Sequence, residues 1–98
     1  MSKEKVVCET PTPNKKPTKI DQWKYEIVRS AILKSIPRKG DGLLFKNLPE
    51  EVAKKLSNHD KERLGSVGWY TTVVKLDMEV KKEIKRIEGV SPQRLIRY

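Results

Sequence analysis

The chain has 98 residues, of which 22 are Lys or Arg and 13 are Asp or Glu, for a formal net charge of +9. That length holds one domain; equal 36% shares of hydrophobic and charged residues point to a small core, and the absence of a long apolar run argues against a membrane-spanning helix and a secretory signal. One cysteine, Cys8, and one histidine, His59, leave no internal disulfide and no Cys/His zinc site at any standard spacing, which fits a cytoplasmic protein with no metal or cofactor.

Residues 1–20 contain Pro11, Pro13, Pro17, five lysines and two glutamates, with no aromatic residue and no apolar period. Each proline removes an amide donor and turns its predecessor away from helix. The expectation is a disordered basic tail of net charge +3 over 1–20 and a folded domain of net charge +6 over 21–98. Asp21 stands as an N-cap before Trp23, Tyr25, Ile27, Val28, Ala31, Ile32, Leu33 and Ile36. At helical spacing these, Leu33 apart, gather on one broad arc, and Pro37 ends this first helix before the turn Arg38-Lys39-Gly40-Asp41-Gly42.

Leu43-Leu44-Phe45 is too short for a helix and suits a very short strand. A second helix begins at Asn47 or Leu48, with Pro49 in its first turn and Glu50 and Glu51 near its positive end. Leu48, Val52 and Leu56 form its apolar stripe, and Lys54 and Lys55 either pair with Glu50 and Glu51 or reach phosphate. His59 to Leu64 is polar and reads as a loop or one further helical turn. The next stretch holds Val67, Trp69, Tyr70, Val73, Val74, Leu76, Met78 and Val80. Adjacent apolar pairs break strand alternation, whereas a helix from about Ser66 to Lys82 segregates the apolar side chains from Thr71, Thr72, Lys75, Glu79 and Lys82. Asp77 falls inside the apolar arc, where Lys81 at i+4 or a basic residue of the first helix can pair with it. Ile84 to Glu88 and Gln93 to Tyr98, on either side of Gly89-Val90-Ser91-Pro92, read as a β-hairpin.

The stretch Leu76-Asp77-Met78-Glu79-Val80-Lys81-Lys82-Glu83-Ile84-Lys85-Arg86 resembles the end of the recognition helix and the first wing strand of the winged helix-turn-helix superfamily. Met78-Glu79 and Ile84 match that pattern, and Lys82 stands where Gly is common. Residues 25–98 are also similar to a bacterial family of small winged-helix-like proteins, through Gly68-Trp69-Tyr70, Lys75-Leu76-Asp77 and Ser91-Pro92. The resemblance implies an α+β winged helix of three helices and a C-terminal hairpin wing, without an established activity.

In that arrangement the core is expected to draw on Trp23, Ile27, Ala31, Ile32, Leu44, Val52, Leu56, Val73, Val74, Leu76, Val80, Ile84 and Leu95. The arc on the third helix is wider than a small three-helix core needs, so part of it is available to a partner, including a second copy of the chain. DNA readers of this type place the third helix in the major groove. Thr71, Thr72 and Lys75 then supply base contacts, with Lys82 on the same exposed arc of the nucleic-acid interface, while Lys85, Arg86, Arg94 and Arg97 contact phosphate. The leading expectation is therefore a regulatory protein binding double-stranded DNA. The alternative is a winged-helix protein-interaction or dimerisation module without DNA readout, because the exposed arc lacks Arg, Asn and Gln. No nucleophile, metal cluster or phosphate-cradling loop points to an enzyme or a small-molecule substrate.

Overall fold

The computed structural model describes residues 4–12 and 14–98. Among these residues it contains four α-helices and two small antiparallel sheets, an α+β architecture. The first sheet is a hairpin of β1 (Lys5–Cys8) and β2 (Thr18–Asp21). It pairs Val6 with Ile20 and Cys8 with Thr18. This corrects the expected disordered tail, of which residues 1–3 and 13 lie outside the described residues. The prolines do not prevent the pairing, because Pro11 and Pro17 lie between the strands and no ladder donor is missing from either one. Cys8 and Ile20 are buried, so the hairpin contributes to the core.

Helix α1 (Gln22–Ser35) follows β2 directly. Asp21 occupies the N-cap position, but its carboxylate pairs with Lys5 and makes no cap hydrogen bond. The Gln22 amide instead donates to the Glu4 carbonyl at 3.0 Å, so the neighbouring strand satisfies one of the helix's orphan donors. Tyr25, Val28, Ala31 and Ile32 turn inward. Trp23 and Ile27, expected in the core, are only half-buried.

The chain then forms β3 (Leu43–Leu44), a 3-10 turn at Phe45–Asn47 and α2 (Leu48–Lys54). A further helix, α3 (Asn58–Leu64), starts where the Ser57 hydroxyl accepts the Asp60 amide at 3.0 Å. That cap makes a helix of a polar stretch, and the expected three helices become four. Helix α4 (Val67–Val80) is capped by Ser66 and packs on α1 and α2.

Two strands, β4 (Ile84–Arg86) and β5 (Arg94–Arg97), complete the second sheet in the order β3-β5-β4. Leu43 sits opposite Leu95, and Ile84 opposite Arg97. Gly42 leads into β3 with φ +73, and a Cβ there would lie 2.5 Å from the Leu95 carbonyl oxygen. Close approach of β3 to β5 therefore requires glycine. At the other end of the sheet, α4 stops in a Schellman motif: the Lys82 amide bonds Glu79 O at 3.1 Å and the Glu83 amide bonds Met78 O at 2.9 Å. Lys82 itself takes the left-handed conformation, φ +62. No helix among the described residues is long and apolar enough to cross a membrane.

Candidate interaction surface

Helix α4 sits between the two sheets and supplies side chains to both. Its inward face is Thr71, Val74, Lys75 and Met78, with Asp77 at the border, and all five are buried. Its outward face is Trp69, Val73, Leu76 and Val80. At 100° per residue these four fall within an arc of about 60°, opposite the buried stripe. Trp69 is 49% exposed and Val80 37%, with Val73 and Leu76 half-buried between them.

The helix is thus rotated relative to the sequence expectation. Two apolar stripes run along it, and the one through Val67, Tyr70, Val74 and Met78 faces the core, with Val73 of the other packed at the core's edge. Val73, Leu76 and Val80, expected inside, face outward together with Trp69 of the same stripe, while Thr71 and Lys75, expected on the exposed arc, are 0% and 1% exposed.

The reason lies in what the two sheets require. Asp77 is fully buried and ties the N-terminal hairpin to the helices. Its carboxylate accepts from the Glu9 amide at 2.9 Å, from the Tyr25 hydroxyl at 2.6 Å and from the Lys81 ammonium at 2.6 Å. Burial, and then the nearby Asp77 charge, push the Cys8 thiol up to about 11. Burial and the hydrogen bond to Asp77 likewise raise the Tyr25 hydroxyl above its usual range. On the other side Lys75 reaches the C-terminal hairpin. Its ammonium lies 2.8 Å from Glu79 and donates to Gln93 Oε1 at 2.7 Å. It also sits 4.4 Å from the centre of the Phe45 ring. Arg86 on β4 donates to the same Glu79 carboxylate at 2.7 Å. Burial holds the Lys75 pKa below its usual value, against the opposing pull of Glu79. With one acid and one base committed inward, the helix can only turn its second apolar stripe outward.

The remaining residues expected at a nucleic-acid interface are scattered. Thr72 is half-buried and its hydroxyl donates to Gly68 O at 3.0 Å. Arg86 is engaged with Glu79, Arg94 reaches Asp41 O at 3.5 Å, and Arg97 donates to Ile36 O at 2.9 Å. Lys82 and Lys85 are exposed at the end of α4 and on β4, Lys85 lying 5.2 Å from the Tyr98 ring. On helix two, Lys54 and Lys55 both pair with Glu51.

Two features border the outward stripe. At the N-terminal end of α4, Trp69 meets Tyr70 edge-on at 4.8 Å. Lys24 donates to the Tyr70 hydroxyl at 3.1 Å and lies 4.9 Å from its ring, while Arg63 covers Trp23 at 4.1 Å. The Trp69 indole thus rests edge-on against Tyr70, which Lys24 holds, while about half of the residue remains in solvent. Midway along the helix, a groove of about 230 Å³ runs between Val73 and Leu76 and the loop of the first hairpin, where Glu9, Lys15 and Lys16 line it. The sequence signal for this surface was the excess width of the apolar arc, which does not by itself say which half faces outward. Among the described residues, no group of three or more His, Cys, Asp or Glu side chains is placed to hold a metal ion.

The chain belongs to DUF6958, a family of unknown function, whose sequence profile matches residues 5–95 and so takes in both hairpins. No curated protein and no solved structure matches the chain.

Proposed function

We propose that this member of DUF6958 is a winged-helix interaction module that engages a protein partner through the outer face of α4. The winged-helix reading is supported by the succession α1, β3, α2, α4, β4, β5 and by the pairing of the first short strand of that series with its last. Helix α3 is then an insertion. Lys82 with φ +62 fills the left-handed position that the winged-helix pattern gives to glycine.

The observation that carries the functional reading is the apolar outward arc of α4. Base edges in the major groove present donors, acceptors and thymine methyls, and are read by polar side chains. Val73, Leu76 and Val80 offer no polar group and Trp69 only an indole N–H, and Thr71 and Lys75 are inaccessible. An exposed, preorganised Trp in an apolar stripe is instead the composition of a protein-binding hot spot. The test is photo-crosslinking in cells from Trp69→benzoylphenylalanine and Val80→benzoylphenylalanine variants, with Lys34 as the control position. The expected result is an adduct sensitive to protease from positions 69 and 80 and none from position 34. A nuclease-sensitive adduct, or none from either position, overturns the reading.

A second reading is favoured by the net charge of +9 and by the exposed Lys82 and Lys85. It is sequence-blind contact of the wing with duplex phosphates. Two such contacts predict a loss of affinity of about tenfold between 50 and 200 mM salt, against about 10²- to 10³-fold for four to six. Titration of a random duplex with wild type and with the Lys82→Ala/Lys85→Ala variant measures that slope.

A further inference from the structure

We infer that the groove between α4 and the first hairpin receives an acidic amphipathic helix of the partner protein. This rests on the interaction-module reading and names the partner's chemistry. From Trp69 to Val80 the stripe is about 16 Å long at 1.5 Å per residue, the length of about three turns of a docked helix. Helix-in-groove recognition uses apolar anchors at i, i+3, i+4 and i+7, and Trp69, Val73, Leu76 and Val80 present the complementary spacing.

The rim decides the sign of the partner. Lys15 and Lys16 line the groove beside Val73 and Leu76, and Lys24 flanks Tyr70 next to Trp69. Lys81 at the far end is already paired with the buried Asp77 carboxylate. Glu9 is the one carboxylate among the described groove-lining residues. The Glu79 carboxylate is turned away toward Lys75 and Arg86. Carboxylates flanking an apolar stripe complement this rim, and complementary rim charge sets orientation and partner choice. A second copy of the chain fits poorly, because a two-fold contact through this face brings the same lysines together. A single docked helix buries less than a standard interface of about 1,600 Å².

The test is selection from a displayed library of random 12-residue peptides against the full-length protein at 50 mM salt. Three variants are compared: Lys15→Glu/Lys16→Glu, the equal-charge control Lys34→Glu/Lys46→Glu, and Leu76→Asp, each verified as folded by circular dichroism. The expected pool is net negative with apolar residues at helical spacing. Its binding falls about tenfold or more with the groove reversal and with Leu76→Asp, and by less than about threefold with the control. If Leu76→Asp abolishes binding while the pool is neutral or basic, or the groove reversal has no more effect than the control, the acidic-helix inference is overturned and the interaction-module reading stands. A pool that ignores Leu76→Asp overturns both.

Discussion

The N-terminal hairpin reaches α4 through a carboxylate, Asp77, and the C-terminal hairpin reaches the same helix through an ammonium, Lys75. The acid accepts from a backbone amide, a phenol and a half-exposed lysine, so all three neighbours depend on it. The base shares Glu79 with Arg86 and has Gln93 and Phe45 besides, so its removal leaves the carboxylate still paired. Each hairpin buries two apolar residues, but the first contributes a small Cys8 beside Ile20, whereas the second adds the larger Ile84 and Leu95 to a three-stranded sheet. Similar hairpins on one helix thus differ in how far a single charged residue holds them. The one with the smaller apolar contribution relies on the less replaceable anchor.

The largest expected effect breaks that anchor. Asp77→Ala strands a part-buried amide and a buried phenol, and is expected to destabilise the protein by about 3 kcal/mol. Asp77→Asn, which keeps an acceptor, loses about half as much. Urea unfolding measures both. Labelling of Cys8 by a disulfide reagent localises the loss: in wild type the buried, high-pKa thiol reacts only when the hairpin opens, and Asp77→Ala should speed that reaction far more than it changes amide exchange in β5.

Alkaline pH sharpens the contrast, because Cys8 and Tyr25 beside the first anchor are shifted in the opposite direction to Lys75 at the second. Cys8 has a usual thiol value of 9.0 in the unfolded chain and about 11 in the fold. Between those values the folded state holds the proton that the unfolded state releases, so this contribution to stability is complete below pH 9 and fades toward pH 11. Tyr25, also raised, adds a loss of the same sign above its usual value of 10.0. Lys75 is lowered, so in the window below its usual 10.5 the unfolded chain binds more protons, and stability rises with pH. Urea midpoints across pH 8 to 11 should fall in wild type, fall less in Cys8→Ala, and fall more steeply in Lys75→Met. A Lys75→Met curve parallel to wild type would show that Lys75 makes no opposing contribution.

At neutral pH, Lys75→Met itself is expected to change stability by only about 1 kcal/mol. A methionine of similar length replaces a desolvated ammonium, and Glu79 keeps Arg86. A loss as large as that of Asp77→Ala would erase the proposed difference between the hairpins. The smallest effect is a gain. Lys82→Gly relieves the left-handed backbone at the Schellman position and should stabilise by about 0.5–1 kcal/mol in the same urea experiment.

Much of the architecture follows from local sequence. Asp21 to Pro37 delimits a helix whichever way it packs, because its apolar arc and its breaker lie within one short window. The C-terminal hairpin around Gly89 to Pro92, and the strand Leu43–Leu44 that pairs with it, are legible for the same reason. The i+4 pairing of Asp77 with Lys81 is local too. Helix α3 depends on a serine cap in a polar stretch, which periodicity does not register. The N-terminal hairpin is less visible still. Its prolines and lysines have the composition of a disordered tail, and Val6, Val7, Cys8 and Ile20 are too few to fold alone. What holds it is the Glu9 amide bonded to Asp77, a contact spanning 68 residues.

The sequence by itself determined the charge, the extent of α1 and α4 and the second sheet, since those depend on composition, breakers and short-range periodicity. Only the tertiary structure decided that residues 5–21 form a hairpin, and which of the two apolar stripes of α4 faces solvent. A helical wheel counts apolar residues but cannot say which polar ones will find partners inside. Here the partners come from opposite ends of the chain: Glu9 satisfies Asp77, and Gln93 and Arg86 complete the Lys75–Glu79 cluster. With both charged side chains turned inward and satisfied, Trp69, Val73, Leu76 and Val80 are left as the outer face.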